Sequence, residues 1–270
     1  MKFNRLGKGL SLIILSVLLV FSLFGCYGKK VSLSGLTPEE QFEYAMKYFD
    51  HRDYYNAKMQ FTIVVLNNPG HLIIGKAHFC LGESYYYLKE YILAVGEYEK
   101  LIRSLSSSEY VDDAYFKIGM CYYKLAPGYG LDQDYTQKAI SQFQLFLEEY
   151  PGSELREQVE KMLSECRYKL AKKEYKAGEL YRKMGYYRAA IISFDSVLEK
   201  YYDTPYSDDA LYWKGESYRR IGEWEQAEEA FNTLLAKHSQ SPFVFKAKMK
   251  LGSMKNNTNQ KKANSEGLNQ

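Results

Sequence analysis

Residues 178–194 read GELYRKMGYYRAAIISF, and residues 215–231 read GESYRRIGEWEQAEEAF. The two segments share a small residue, a Tyr three positions later, a turn, and then an Ala with an aromatic four positions beyond it. The same order occurs three more times toward the N-terminus. The small residue and its Tyr are Ala45 and Tyr48, Gly82 and Tyr85, Gly119 and Tyr122, Gly178 and Tyr181, and Gly215 and Tyr218, at spacings of 37, 37, 59 and 37. The Ala and its aromatic are Ala57 and Phe61, Ala94 and Tyr98, Ala139 and Phe143, Ala190 and Phe194, and Ala227 and Phe231. Self-similarity at such a period marks stacked supersecondary units. Within each unit apolar residues recur at i, i+3, i+4 and i+7, which predicts two amphipathic helices, A and B. The small residue lets helix A approach helix B, and the Tyr fills the layer above it. The Ala keeps the pair narrow, and the aromatic four positions on shares its face. Turns are expected at 50–53, 88–90, 184–185 and 221–223. One pair cannot bury its apolar face alone, so the units must stack.

The order small residue, Tyr, Ala, Phe, with Pro69 and Pro151 closing two units, resembles the tetratricopeptide repeat (TPR) pattern. That resemblance implies an all-α, right-handed superhelix of about five helix pairs. The units fall at 38–71, 75–108, 112–153, 171–204 and 208–241, with a capping helix over 242–254. The tail, 255–270, is rich in Asn, Gln and Lys and is expected to be disordered. Unit three carries a long connection, 126–135, between its helices, and long loops in compact arrays are often functional.

Residues 1–9 are basic, and 10–24 form an apolar run broken only by Ser11, Ser16 and Ser22. Fifteen residues suit a signal-peptide core better than a bilayer span. The run ends in Leu23-Phe24-Gly25-Cys26, which resembles the lipobox of bacterial lipoproteins. Residues 1–25 are then a cleaved signal, Cys26 is the lipidated N-terminus, and 26–37 is a flexible tether. Acyl chains on Cys26 would hold the membrane stably. Tyr27 follows in place of the Asp that marks inner-membrane retention, so the outer membrane, facing the periplasm, is expected.

Loss of Lys2, Arg5 and Lys8 with the signal leaves 33 basic and 33 acidic residues. A neutral chain offers no electrostatic case for nucleic acid. Cys80, Cys121 and Cys166 sit in helical patterns and read as buried apolar residues, with a Cys80–Cys121 bridge as the alternative. There is no nucleophile elbow, Walker loop, HExxH or paired CxxC. His51, His71, His78 and His238 lack metal spacing and read as solvated or capping. No catalytic residue, metal or cofactor is assigned, and the chain is not expected to be an enzyme.

A repeat array of this kind presents a groove built by its A helices. The facing positions lie three before, one after and four after the small residue. They are Phe42, Met46 and Phe49; Phe79, Glu83 and Tyr86; Phe116, Met120 and Tyr123; Tyr175, Glu179 and Arg182; and Tyr212, Glu216 and Arg219, with Arg220 beside the last. The N-terminal half is aromatic and Met-rich, suited to apolar peptide segments. The C-terminal half carries charges around a Tyr, suited to a folded polar partner. Phe42, Phe79 and Phe116 are expected to form a row along the groove, with Tyr86 and Tyr123 beside it.

The stretch 143–204 resembles the BamD family of outer-membrane β-barrel assembly lipoproteins. Phe143, Phe146, Tyr150-Pro151, Ser153, Leu170-Ala171, Glu174, Tyr181, Gly185, Tyr187 and Ala189-Ala190 carry the likeness, with the lipobox and the enlarged third loop. The resemblance implies a lipid-anchored, non-enzymatic subunit. Its C-terminal repeats would bind a periplasmic domain of the barrel-forming central subunit, and its N-terminal repeats unfolded outer-membrane proteins. A different periplasmic TPR lipoprotein, such as a pilus-secretin pilotin or a cell-envelope division coordinator, remains open at this stage, as does a small-ligand or peptidoglycan binder.

Overall fold

Thr37 starts the first helix of the computed structural model, which describes residues 35–105 and 108–267. Its side chain accepts from the Glu40 backbone, while Glu40 bonds back to the Thr37 N–H at 2.8 Å, and Pro38 occupies the first turn. This reciprocal arrangement satisfies two otherwise orphaned donors. The signal segment, Cys26 and most of the tether lie outside the described residues.

Eleven helices follow, with no strand among the described residues. They are α1 (Pro38–Asp50), α2 (Tyr54–Asn67), α3 (Ile73–Tyr87), α4 (Tyr91–Ser104), α5 (Val111–Leu125), α6 (Asp134–Glu149), α7 (Arg156–Lys183), α8 (Tyr187–Lys200), α9 (Tyr206–Ile221), α10 (Trp224–Lys237) and α11 (Val244–Gly267). Odd-numbered helices are the A helices and even-numbered ones the B helices. Each packs chiefly on its sequence neighbours, the layout of an all-α, TPR-like array.

The repeat residues meet as their spacing requires. The aromatics Phe61, Tyr98, Phe143, Phe194 and Phe231 are fully buried against the small residue of their own A helix. A Cβ added at Gly82, Gly178 or Gly215 would lie 2.5–2.7 Å from the facing ring, and one at Gly119 would collide with Phe143. Glycine is therefore required for close approach in units two to five, while unit one accommodates Ala45. The short turns share one left-handed residue: Arg52 (φ 58°), Lys89 (φ 62°), Gly185 (φ 83°) and Gly222 (φ 81°).

Unit three replaces that turn with the long connection. Buried Gln133 donates to the Gly128 and Leu131 carbonyls at 2.9 and 3.0 Å. Helix α7 fastens the loop from outside. Lys169 Nζ donates to the Ala126 carbonyl and Lys173 Nζ to the Leu131 carbonyl, while Lys172 Nζ sits 4.7 Å over the Tyr129 ring.

Three expectations need correction. Residues 154–170 were assigned to no unit, yet they supply the first half of α7, one helix of 28 residues. Its Val159, Met162 and Cys166 pack under unit three, and its Tyr175 and Gly178 serve unit four. The tail is helical to Gly267 rather than irregular, as a continuation of α11, whose Ala247 and Gly252 lie 37 residues after Ala210 and Gly215 as in a sixth A helix. His78 is neither solvated nor capping. It is buried between α3 and α4, its Nδ1 2.8 Å from Glu97. Cys80, Cys121 and Cys166 are buried free thiols, and burial pushes each up to about 12.

Candidate functional site

The A-helix face is built from three positions per unit, and they behave differently. The position three before the small residue is mostly core. Phe42, Phe116, Tyr175 and Tyr212 are each under a tenth exposed, and Phe79 is half-buried. Each ring packs on the B-helix aromatic of its own unit: Phe42 on Phe61 at 5.4 Å, Phe79 on Tyr98 at 5.8 Å, Phe116 on Phe143 at 6.3 Å, Tyr175 on Phe194 and Tyr212 on Phe231 at 5.9 Å. Three of them also stack on an aromatic opening the next A helix: Phe79 on Tyr110, Tyr175 on Tyr206 and Tyr212 on Phe243, at 4.5–5.2 Å. The expected open row of Phe42, Phe79 and Phe116 is thus packed into the array, Phe42 and Phe116 in the core of their own units and Phe79 in the seam with the next. The signal for this was a second spacing, 31 residues from Phe79, Tyr175 and Tyr212 to Tyr110, Tyr206 and Phe243.

The position one after the small residue is a Met in units one and three and a Glu in units two, four and five. Met46 and Met120 are half-buried. Glu83 is buried, accepting from Tyr98 Oη at 2.5 Å and from Lys117 Nζ at 2.7 Å. Glu216 is also buried; Arg219 donates to both its oxygens at 3.0 and 3.1 Å, and Lys250 Nζ lies 3.4 Å away. Burial alone would raise the Glu216 pKa, but the Arg219 hydrogen bonds and the Lys250 charge bring it below its ordinary value. Glu179 accepts from Lys176 at 2.9 Å, has Lys183 at 3.7 Å, and is likewise held low, chiefly by the Lys176 bond.

The position four after the small residue is the most open. Phe49, Tyr86 and Tyr123 are half-buried. Lys117 Nζ lies 5.0 Å over the Tyr86 ring, and burial pushes that phenol up to about 12. Tyr123 Oη donates to Glu165 at 2.8 Å, a bond that pushes its pKa up to about 12. Arg182 lays its guanidinium 3.9 Å from the Trp213 ring centroid, with Nε buried and unbonded. Arg219 is half-buried and Arg220 exposed.

Sequence reasoning missed four contributors: Lys117, Lys250, Trp213 and Asp209. Lys117 and Lys250 each follow their Glu by 34 residues, a repeat that could have been found. Asp209 is half-buried, and burial, with the charges of Asp208 and Glu179, raises it to about 6. The C-terminal half therefore holds an uneasy carboxylate beside a set of paired ones.

The family model for the outer membrane lipoprotein YfiO matches residues 35–234. An outer membrane protein assembly factor BamD of Caulobacter vibrioides is 24% identical over 203 residues, 74% of this chain and 67% of its own. The BamD of Rickettsia prowazekii is 26% identical over 202 residues, 74% of this chain and 80% of its own. Among solved structures, a TPR repeats protein of Bacteroides fragilis is 16% identical, covering 81% of this chain and 98% of its own at a TM-score of 0.47. With the family match spanning the five helix pairs described above, the chain belongs to the YfiO outer membrane lipoprotein family.

Proposed function

We propose that this chain is a non-enzymatic scaffold, anchored through lipid on Cys26 to the periplasmic face of the outer membrane, that serves in the assembly of β-barrel proteins. The names of its two BamD relatives support the process. The observation that carries the division of labour is the asymmetry of the A-helix face. In units one to three its accessible residues are Met46, Phe49, Tyr86, Met120 and Tyr123. These polarizable and aromatic groups would receive unfolded barrel segments, which alternate apolar with polar residues. In units four and five the accessible groups are Glu179, Arg182, Arg219 and Arg220, with Asp209 behind them. These would dock a folded periplasmic domain of the barrel-forming central subunit, Arg being a frequent interface anchor. Tyr175 and Tyr212 support that surface from below rather than touching the partner.

Client binding should be weak, micromolar or worse, because the segment must be ordered on binding and later released. The test is a titration of a labelled barrel-derived peptide ending in an aromatic residue. A Tyr86→Ala/Met120→Ala variant should bind several-fold more weakly than wild type, and an Arg220→Glu variant equally well. Equal affinity in the first variant, with both chains folded by circular dichroism, would remove the client role from this face.

A further inference from the structure

One stripe of α7 carries two different loads. Val159, Leu163 and Cys166 lie under α6 in the unit-three core. The stripe then continues through Leu170, Lys173, Ala177, Leu180 and Met184, at steps of three or four residues. Helix α6 begins at Asp134, and the loop before it is tied to α7 at Lys169 and Lys173. Beyond that tie no helix among the described residues covers Leu180 and Met184, which are each 57% exposed.

The other junctions show what normally lies there. Five before, one before and two after the small residue, α3 presents Ala77, Leu81 and Ser84, and α5 presents Ala114, Ile118 and Cys121. Helix α9 presents Ala210, Lys214 and Ser217, and α11 Ala247, Leu251 and Met254. The four alanines are fully buried, and Ser84, Cys121, Ser217 and Met254 are buried too, because the preceding B helix packs along this stripe. Unit one has no unit before it among the described residues, and it is polar there: Glu40, Tyr44, Lys47 and His51. Among the described residues unit four has no helix over this stripe either, yet after Lys173, which is tied to the loop, its stripe is Ala177, Leu180 and Met184. A solvated end is polar, as in unit one; an apolar one reads as a junction with its second half missing.

We infer that this step is a docking site for an amphipathic helix of a partner protein, lying where a B helix lies in the intact junctions. Four junctions of one chain define the shape that fits this stripe, and in each it is a helix with small and apolar residues along one side. The charge around the step defines the flanks. Apart from Glu179 and Arg182, which belong to the A-helix face, residues 169–183 hold five cations, Lys169, Lys172, Lys173, Lys176 and Lys183, against one carboxylate, Glu174, with Lys176 and Lys183 also pairing with Glu179. The partner helix is therefore acidic beside its apolar stripe. Tyr129 and Leu131, exposed on the fastened loop, form the wall at one end. This site is separate from the A-helix face and stands whether or not the proposed function does.

The probe is a labelled, side-chain-stapled peptide with the sequence of residues 224–237, a B helix that carries Glu225, Glu228 and Glu229 beside Ala227, Phe231 and Leu234. The staple offsets the poor helicity of so short a peptide. Fluorescence anisotropy with the full chain in detergent should show saturable, salt-weakened binding. Leu180→Glu/Met184→Glu should weaken it at least about tenfold. Leu180→Ala/Met184→Ala, which keeps strong helix formers, should weaken it less, and Met59→Glu, on an exposed site of unit one, should leave it unchanged. Absence of binding, or equal binding by the Leu180/Met184 variants, overturns the inference. So does a wild-type dimer in sedimentation velocity that the double variant abolishes, since the occupant would then be a second copy of this chain.

Discussion

The same substitution at the same repeat position should have opposite signs in units four and six. Gly178→Ala places a methyl 2.7 Å from Phe194 Cε1 and 2.8 Å from Cδ1. Phe194 is fully buried and packed against Tyr175, so its ring cannot retreat. Overpacking of this kind costs about 1–3 kcal/mol. Replacing Gly by Ala inside a helix returns about 1 kcal/mol. The net for Gly178→Ala is a loss of about 0–2 kcal/mol. At Gly252 the same Cβ meets nothing within 4 Å, with no B helix over α11 among the described residues. Gly252→Ala therefore keeps only the helical gain, about 0.5–1 kcal/mol. The propensity term is common to both, so the difference between the variants isolates the ring contact at about 1–3 kcal/mol. Urea unfolding, followed by far-ultraviolet circular dichroism and by the fluorescence of Trp213 and Trp224, measures it. Equal stabilisation by the two substitutions would refute the argument that glycine is there for close approach.

Two further predictions concern charge and backbone. Asp209 is raised from its ordinary value of 3.8 to about 6 in the folded chain, mainly by burial. The folded state therefore holds that proton more tightly, and the stability it contributes at acid pH is lost as pH rises through about 6. Asp209→Asn should stabilise the chain at pH 7 by on the order of 1 kcal/mol, since solvent screening cuts the full linkage value at a half-exposed site. It should also flatten the dependence of the urea midpoint on pH between about 4 and 6; an unchanged slope would show that Asp209 ionises freely. Lys89 holds a left-handed conformation that Gly185 and Gly222 occupy in units four and five. Lys89→Gly should thus raise the urea midpoint, by about 0.5–1 kcal/mol of stability, and a lower midpoint would mean that the Lys side chain contributes more than its backbone costs.

The fold was legible because each repeat residue has one geometric duty. Gly82 and Tyr98 need each other, as do Gly178 and Phe194, and such pairs survive as fixed spacings. The turns were legible for the same reason, since Gly185 and Gly222 mark the left-handed residue that Arg52 and Lys89 adopt less readily. The continuity of α7 was hidden by its own register. The interval of 59 residues looked like an insertion, yet residues 154–177 contain neither Gly nor Pro, and nothing in them stops a helix. The packed seam was misread because a 37-residue period shows which residues are equivalent, not what they touch. Phe79 and Tyr212 face the same side of their helices as an open groove residue would, and only the aromatics at Tyr110 and Phe243 close over them. Asp209 left only a partial mark in the sequence: the neighbouring Asp208 is visible there, but burial, the largest cause of the shift, and Glu179 on a neighbouring helix are properties of the assembled array.

The shared helix also constrains how the array can work. At 1.5 Å per residue the 28 residues of α7 span about 42 Å. Sharp helix kinks need Pro, Gly–Ser pairs or a π-bulge. Helix α7 has no Pro, and its one Gly is covered by the buried ring of Phe194. Units three and four are therefore two ends of one rod rather than two bodies on a hinge. Lys169, Lys172 and Lys173 brace the rod against the loop of unit three, so the step beside Leu180 and Met184 keeps its shape without an occupant. A preformed site loses less conformational entropy on binding than one that must be ordered. The A-helix faces of units three and four are then held at a fixed separation. A partner helix in the step would lie against the rod between them, and would register the array's geometry without having to change it.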